Sequence, residues 1–297
     1  MAHIVKKVSD FDFKTPGEFE GRSEGYSSDS VVDERGGSVQ MGFRVARLEP
    51  GGSVASHVHS FEESIYVIEG QMTIESTEGS HELSEGDYGL LPVGMTHAFR
   101  NTSGDLAVFA EMQAPLPRER FGFDTQFPKP IPAGVARPLD VRDPRNRYFG
   151  HIDPESMDPG LQTQDRLALS ASMRTALLVY SGISVKMMVD SDLGADLSTM
   201  FMVQYEQGGF AGAHDHPLEE TYLILEGEVE AGFDGETFRL SPGDVAWAGV
   251  GCVHEFRNVG EGLVRWLETQ APQPPPRHSY RFARDWSYLE NALADES

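Results

Sequence analysis

The chain repeats itself in strict register. Adding 157 to positions in the first half reproduces the second: His57 maps to His214, His59 to His216, Glu63 to Glu220, Gly70 to Gly227, Gly86 to Gly243, His97 to His254 and Asn101 to Asn258. Glu63 to Gly70 reads ESIYVIEG and Glu220 to Gly227 reads ETYLILEG, while LSEGD at 83–87 answers LSPGD at 240–244. No insertion or deletion intervenes, so the two halves are copies of one unit, and a duplicated unit decides the architecture before any local feature does.

Each copy is built from short β-branched and aromatic runs broken by Gly, Pro and Asp, which read as strands. Examples are 39–48, 64–68, 71–75 and 107–112 in the first copy, and 200–205, 222–225 and 263–267 in the second. No long helical period interrupts either, so the expected fold is all-β, two antiparallel barrels or sandwiches in tandem. Between them, prolines at 115, 117, 128, 130, 132, 138, 144, 154 and 159 cannot donate to a sheet ladder and predict an irregular connector. The reading divides the chain into 1–140, an N-terminal barrel with the start of the connector, and 141–297, a C-terminal barrel with its tail. Phe121, Phe123, Phe127, Tyr148 and Phe149 should be buried across both barrels. A short helix is expected over Phe282 to Leu293.

Chemistry concentrates at the repeated positions. Side chains at i and i+2 of a strand share a face, so His57 with His59, and His214 with His216, converge on one point. Glu63 and Glu220 keep that parity, and a later strand supplies His97 or His254. Three neutral imidazoles and one carboxylate suit a five- or six-coordinate divalent ion with one or two exchangeable positions, not a closed structural zinc site. Six of the ten histidines fall at these matched positions; His3, His81, His151 and His278 receive no role.

These motifs resemble the two signature motifs of the cupin superfamily, and their duplication resembles a bicupin. G-x5-H-x-H-x3-E-x6-G and G-x5-P-x-G-x2-H-x3-N are met at every fixed position of the first copy; the second departs once, with Gly249 where Pro92 stands. The resemblance covers roughly 37–113 and 194–270. It implies two tandem cupin barrels, double-stranded β-helices of jelly-roll type. The metal ligands would be His57, His59, Glu63 and His97 in one and His214, His216, Glu220 and His254 in the other. One divalent transition metal per barrel follows, iron or manganese ahead of nickel, copper, cobalt and zinc. A homodimer is expected from the family's habit of pairing through edge strands.

The 24 Lys and Arg against 47 Asp and Glu leave a formal charge of −23, which would repel nucleic acid and anionic lipid. Cys252 is the sole cysteine, so no internal disulfide forms. No segment approaches the ~20 apolar residues of a membrane span, and a cytoplasmic protein with a small-molecule substrate is the expectation.

By parity, Ile65 and Val67 face inward with Glu63, and Tyr222 and Ile224 with Glu220. Tyr222 is the candidate catalytic residue, as a proton donor or as a hydrogen-bond partner of bound substrate, with a satisfied core hydroxyl as the alternative. This leans the chemistry towards the second barrel. Arg100 and Arg257 lie an odd number of residues from their histidines and should point outward. Met41, Phe43, Met200, Phe201 and Met202 offer apolar walls or ordinary core, and Cys252 has no assigned role. Three functions survive: an oxygen-using enzyme of dioxygenase type; a redox-neutral isomerase, decarboxylase, lyase or ureidoglycine-type aminohydrolase; and a non-catalytic regulator resembling the pirin branch. They are ranked in that order.

Overall fold

A computed structural model describes residues 3–132, 134–158, 180–273 and 281–282. In the first copy an eleven-stranded sheet is organised around Gly42–His59. This strand pairs with Ala107–Ala114 along its first part and with His97–Arg100 along its second, shifting register between Val54 and His57. The second copy is a ten-stranded sheet in which Thr199–Asp215 pairs in the same way with Val264–Ala271 and His254–Arg257, shifting between Ala211 and His214. One long strand serving two neighbours carries the paired histidines to the far end of each barrel. The expected all-β tandem-barrel fold is what forms.

Alternation sorts each strand between two destinations. Ala46, Leu48, Ile65 and Val67 pack inside the first barrel with Phe99 and Phe109, and Tyr222 and Ile224 inside the second with Phe233, Phe256 and Trp266. The opposite parity gives Met41, Phe43 and Val45 from one copy, and Met200, Met202 and Trp247 from the other, to a single core between the barrels. Met41, Phe43, Met200 and Met202 are therefore not substrate walls. Of the five apolar candidates only Phe201 faces a barrel interior.

Paired glutamates lock the barrels together. Glu63 and Glu220 point inward, so their strand neighbours Glu62 and Glu219 point out, and both are buried. Glu219 accepts from the Val39 and Gln40 amides and the Ser38 hydroxyl of the first copy. Glu62 accepts from the Asp196 and Leu197 amides and the Ser198 hydroxyl of the second. Each copy thus caps a loop of the other with a charge-assisted cluster.

Edge strands are also exchanged. His3–Lys6, the first described strand, pairs with Val245–Ala248 of the second sheet, and Phe149–His151 of the connector pairs with Asp87–Leu91 of the first. Val245–Ala248 and Asp87–Leu91 are thereby covered within the chain, and His3–Lys6 and Phe149–His151 end the strand orders. A glycine of the repeat has a steric reason: a Cβ at Gly70 or Gly227 would lie 2.2 Å from the carbonyl oxygen of Leu106 or Leu263, and φ is 78° or 74°.

The connector is less irregular than its prolines predict, because Thr125–Gln126, Arg137–Pro138 and Phe149–His151 each add to the first sheet. Phe149 is buried as expected. Phe121 is not: it is 56% exposed, its ring flanked by the Arg118 and Arg120 guanidinium groups at 4.6 and 4.8 Å. Of the helix expected over 282–293, Phe282 lies in the strand Arg281–Phe282, which pairs with His214 and Asp215, and the rest falls outside the described residues. No helix among the described residues is long and apolar enough to cross a membrane.

Removing either interbarrel carboxylate takes the acceptor from one buried hydroxyl and two part-buried amides, a fully buried orphan costing about 1–3 kcal/mol. Glu62→Ala and Glu219→Ala should each lower unfolding stability by roughly 1–3 kcal/mol, measured by chemical denaturation. A loss under about 0.5 kcal/mol, the size of an ordinary surface change, would show that the clamps contribute nothing.

Candidate metal centres

His57 and His97 are directly paired across adjacent strands, as are His214 and His254, and the register shift beside each pair turns the rings to one side. In the first barrel the ring centroids of His57, His59 and His97 lie 4.0, 4.9 and 6.0 Å apart; in the second the matching separations are 4.3, 5.0 and 6.0 Å. All six rings are buried. Each faces its neighbours with the same nitrogen, for a local reason.

Every one of the six Nδ1 atoms meets a backbone carbonyl two residues away. His57 meets Ala55 at 2.9 Å, His59 Phe61 at 2.7 Å and His97 Met95 at 3.0 Å. His214 meets Gly212 at 2.7 Å, His216 Leu218 at 3.0 Å and His254 Cys252 at 3.0 Å. A carbonyl oxygen only accepts, so Nδ1 carries the proton and Nε2 presents its lone pair to the barrel centre. Phe61 stacks on His59 at 3.9 Å and holds that ring further. Asn101 and Asn258, the last residues of the motif, point elsewhere: each ties its own loop through carbonyl groups, including Asp105 and Gly262. Gly249, standing where Pro92 does in the first copy, still accepts from the Cys252 amide as Pro92 does from Met95, so the turn before the last histidine is preserved.

The donor set fits a divalent cation. Nε2 of His97 and of His254 is buried with no hydrogen-bond partner. The carboxylate of Glu63 lies 3.3 and 3.4 Å from Nε2 of His59 and His97, too poorly aligned at His97 to satisfy that nitrogen. One donor atom from each of His57, His59, Glu63 and His97 falls within 4.8 Å of all the others. In the second barrel the three histidines meet that spacing, and Glu220 is close to two of them without meeting it for all three. Its oxygens are 2.9 and 3.3 Å from His216 and His254, and they also accept from the Tyr222 hydroxyl and the Gln270 amide.

Burial, then the neighbouring His97, holds His57 well below the usual histidine range, and burial with His254 takes His214 to about 3. Burial also lowers His59. His216 differs, because burial is outweighed by the adjacent Glu220 carboxylate, which raises it. Burial works against charge on Glu63 and Glu220, but the surrounding imidazoles hold both well below the carboxylate range.

Behind the ligands the copies diverge, at positions that sequence reasoning did not single out. Arg44 faces inward in the first barrel, its Nε 2.6 Å from Glu111, Nη1 3.0 Å from Glu18 and Nη2 3.8 Å from Glu63. Tyr26 donates to Glu111 at 2.9 Å, and burial pushes that carboxyl up to about 7. The repeat puts Phe201 where Arg44 stands and Ile183 where Tyr26 stands. Glu268, the counterpart of Glu111, is left with the Trp266 indole donor at 2.9 Å and is raised well above the carboxylate range by burial and by Glu220. A charged residue at the inward parity of Ala46 and Leu48 was the available signal. Arg100 and Arg257 point outward as expected, to Glu75 at 2.9 Å and over Phe210 at 5.2 Å.

A cavity of about 500 Å³ opens beside His59, bordered by Val58, Val93, Phe121, Arg118 and Asp124. The connector strand Thr125–Gln126, paired to Val58 and His59, forms one wall.

A duplicated barrel with a buried histidine–carboxylate cluster in each copy defines a two-domain protein built to bind metal. The cupin domain family model matches residues 44–112 and 201–269. The chain is 34% identical over 90 residues to "Polyketide synthase CurC" of Streptomyces cyaneus, covering 29% of this chain and 58% of that protein. It is 35% identical over 95 residues to "Protein SchB" of Streptomyces halstedii, covering 31% of this chain and 69% of that one. Among solved structures it is similar to the oxalate decarboxylase of Lactobacillus farciminis in its formate complex. The TM-score is 0.64 at 17% identity, covering 99% of this chain and 93% of that one, a likeness of fold. The chain belongs to the cupin family, and with two cupin domains it is a bicupin.

Protein purified without added metal should carry about one equivalent per barrel, and His57→Ala and His214→Ala should each remove one by elemental analysis. An alanine that leaves metal content unchanged would contradict the ligand set of that barrel. Metal competes with protons for the same lone pairs. Because His216 binds its proton above the ordinary ~6.5 while His57 and His59 bind theirs below it, acidification should empty the C-terminal centre at a higher pH than the N-terminal one. Metal analysis of His57→Ala and His214→Ala proteins after stepwise acidification reads the two separately; release in the reverse order would refute this difference.

Proposed function

We propose that this bicupin is a metal-dependent enzyme that acts on a small organic substrate at its N-terminal centre, in a reaction of dioxygenase type. The observation that carries this reading is the cavity beside His59. Its walls are apolar at Val58, Val93 and Phe121, and its two charged groups, Arg118 and Asp124, are tied to each other at 2.5–3.0 Å. A substrate chamber with no uncommitted acid or base leaves the chemistry to the ion. Iron or manganese held by three imidazoles and a carboxylate would supply open positions for an enolate, phenolate or carboxylate and for dioxygen. The chain's own residues bind and orient: Ser60 and Gln126 offer hydrogen bonds at the cavity wall, and Phe121 offers an aromatic face. Arg44 steadies the buried Glu63 from behind.

A specific observation favours a second reading at the C-terminal centre. Tyr222 is fully buried and donates to Glu220, with its pKa raised well above 10 by burial and then by Glu220 and Glu268, so it stays a proton donor. That supports redox-neutral chemistry, an isomerase, decarboxylase or lyase, with Tyr222 moving the proton. An oxalate-like dianion is a poor candidate for either centre. The one buried arginine among the described residues, Arg44, is already held between Glu18 and Glu111.

Oxygen uptake by metal-loaded protein, recorded over a panel of phenols, enols and β-dicarbonyl acids, separates the readings. The first predicts substrate-dependent consumption that falls by more than about 100-fold in His57→Ala, the scale of losing a metal ligand, and survives in His214→Ala. Turnover that proceeds equally well without oxygen and is lost in Tyr222→Phe would overturn it in favour of the second.

A further inference from the structure

We propose a third metal centre, formed by His3, Asp234 and Cys252 beside the hairpin turn of the C-terminal barrel, that takes a borderline-soft divalent ion such as zinc and fastens the N-terminal strand to that barrel. The three residues come from three separate segments: the strand His3–Lys6, the turn after Val229–Phe233, and the loop before His254. Even so, one donor atom from each lies within 4.8 Å of the other two. Tetrahedral zinc with bonds of 2.0–2.3 Å places its ligand atoms roughly 3–4 Å apart, so small side-chain movements close the site.

His3 and Asp234 are aimed before any ion arrives. Nδ1 of His3 is buried, has no hydrogen-bond partner and lies 3.8 Å from Oδ2 of Asp234. The His3 ring is fixed by stacking on Phe233 at 5.7 Å and by an edge contact with Phe238 at 5.7 Å. Its Nε2 faces Glu236 at 4.0 Å, the outer carboxylate that commonly orients a metal-bound histidine. Asp234 sits at φ 49° in the hairpin turn, its amide bound to the Val253 carbonyl and its Oδ1 accepting from the Val253 amide. Oδ2 is thereby turned towards His3, and the Cys252 side chain is carried on the same loop.

The first barrel supplies an internal control. The repeat places Thr77 and Met95 at the positions of Asp234 and Cys252. Imidazole, carboxylate and thiolate therefore come together only on the barrel that receives His3–Lys6. That mixture selects zinc or cobalt over magnesium or calcium, and three protein ligands leave a fourth position for water. The ion would secure the strand covering Val245–Ala248, which pairs on its other side with the strand carrying Glu220.

Cobalt(II) titration of the full chain tests this directly, because the cupin centres contain no sulfur and only Cys252 can give thiolate-to-cobalt charge-transfer absorption in the near ultraviolet. The band should appear and saturate, with total cobalt near three equivalents. His3→Ala and Asp234→Asn, neither of them at a cupin ligand, should weaken its binding by more than about 10-fold, the effect of losing even an outer partner, and return cobalt to about two equivalents. Cys252→Ser should abolish the band with the other ions retained. No band at saturating cobalt, or a band unchanged in His3→Ala, would overturn the assignment.

Discussion

Six hydrogen bonds from imidazole Nδ1 to a backbone carbonyl two residues away set up everything else in this molecule. They are short-range and are made by the strands themselves. They fix the tautomer and the ring plane together, so the Nε2 lone pairs converge without any ion to gather them. The cost of burying three imidazoles and a carboxylate in a small apolar barrel is accepted because each polar atom has either a backbone partner or a place in the cluster. Burial holds His57 and His59 below the ordinary histidine range, which keeps their lone pairs available to a metal.

What differs between the barrels lies one layer further out. Arg44, Glu18, Glu111 and Tyr26 surround Glu63 with a buried ion-pair network, whereas Phe201, Trp266 and a proton-retaining Glu268 surround Glu220. The duplicated ligands therefore sit in unlike electrostatic environments. A cation behind Glu63 disperses its charge, while the Tyr222 hydroxyl and the Gln270 amide bind the oxygens of Glu220 directly. Two centres with the same ligands can in this way differ in affinity and in proton handling.

The fold and the two side-chain clusters were legible because the repeat states them twice and because strand parity is a reliable guide to which side chains share a face. His57 with His59 and Ile65 with Glu63 needed no further information. Parity does not say what lies on the other face. Met41, Phe43, Met200 and Met202 read as cavity walls or core, and they became interbarrel core because the second barrel packs against that side. Glu62 and Glu219, next in sequence to the inward glutamates, are clamps between copies, and nothing local marks them as such. The exchange of edge strands by His3–Lys6 and Phe149–His151, and the exposure of Phe121 between two arginines, depend on long-range pairing that no local pattern announces.

The account stands or falls on where a metal sits relative to the histidine rings. Crystals of the full chain grown with manganese(II) and measured across its absorption edge would locate the ions directly. The account predicts one anomalous peak inside each barrel, about 2.0–2.3 Å from three Nε2 atoms and from a carboxylate oxygen of Glu63 in one and Glu220 in the other. Peaks beside Nδ1, or manganese found only at surface carboxylates, would contradict it.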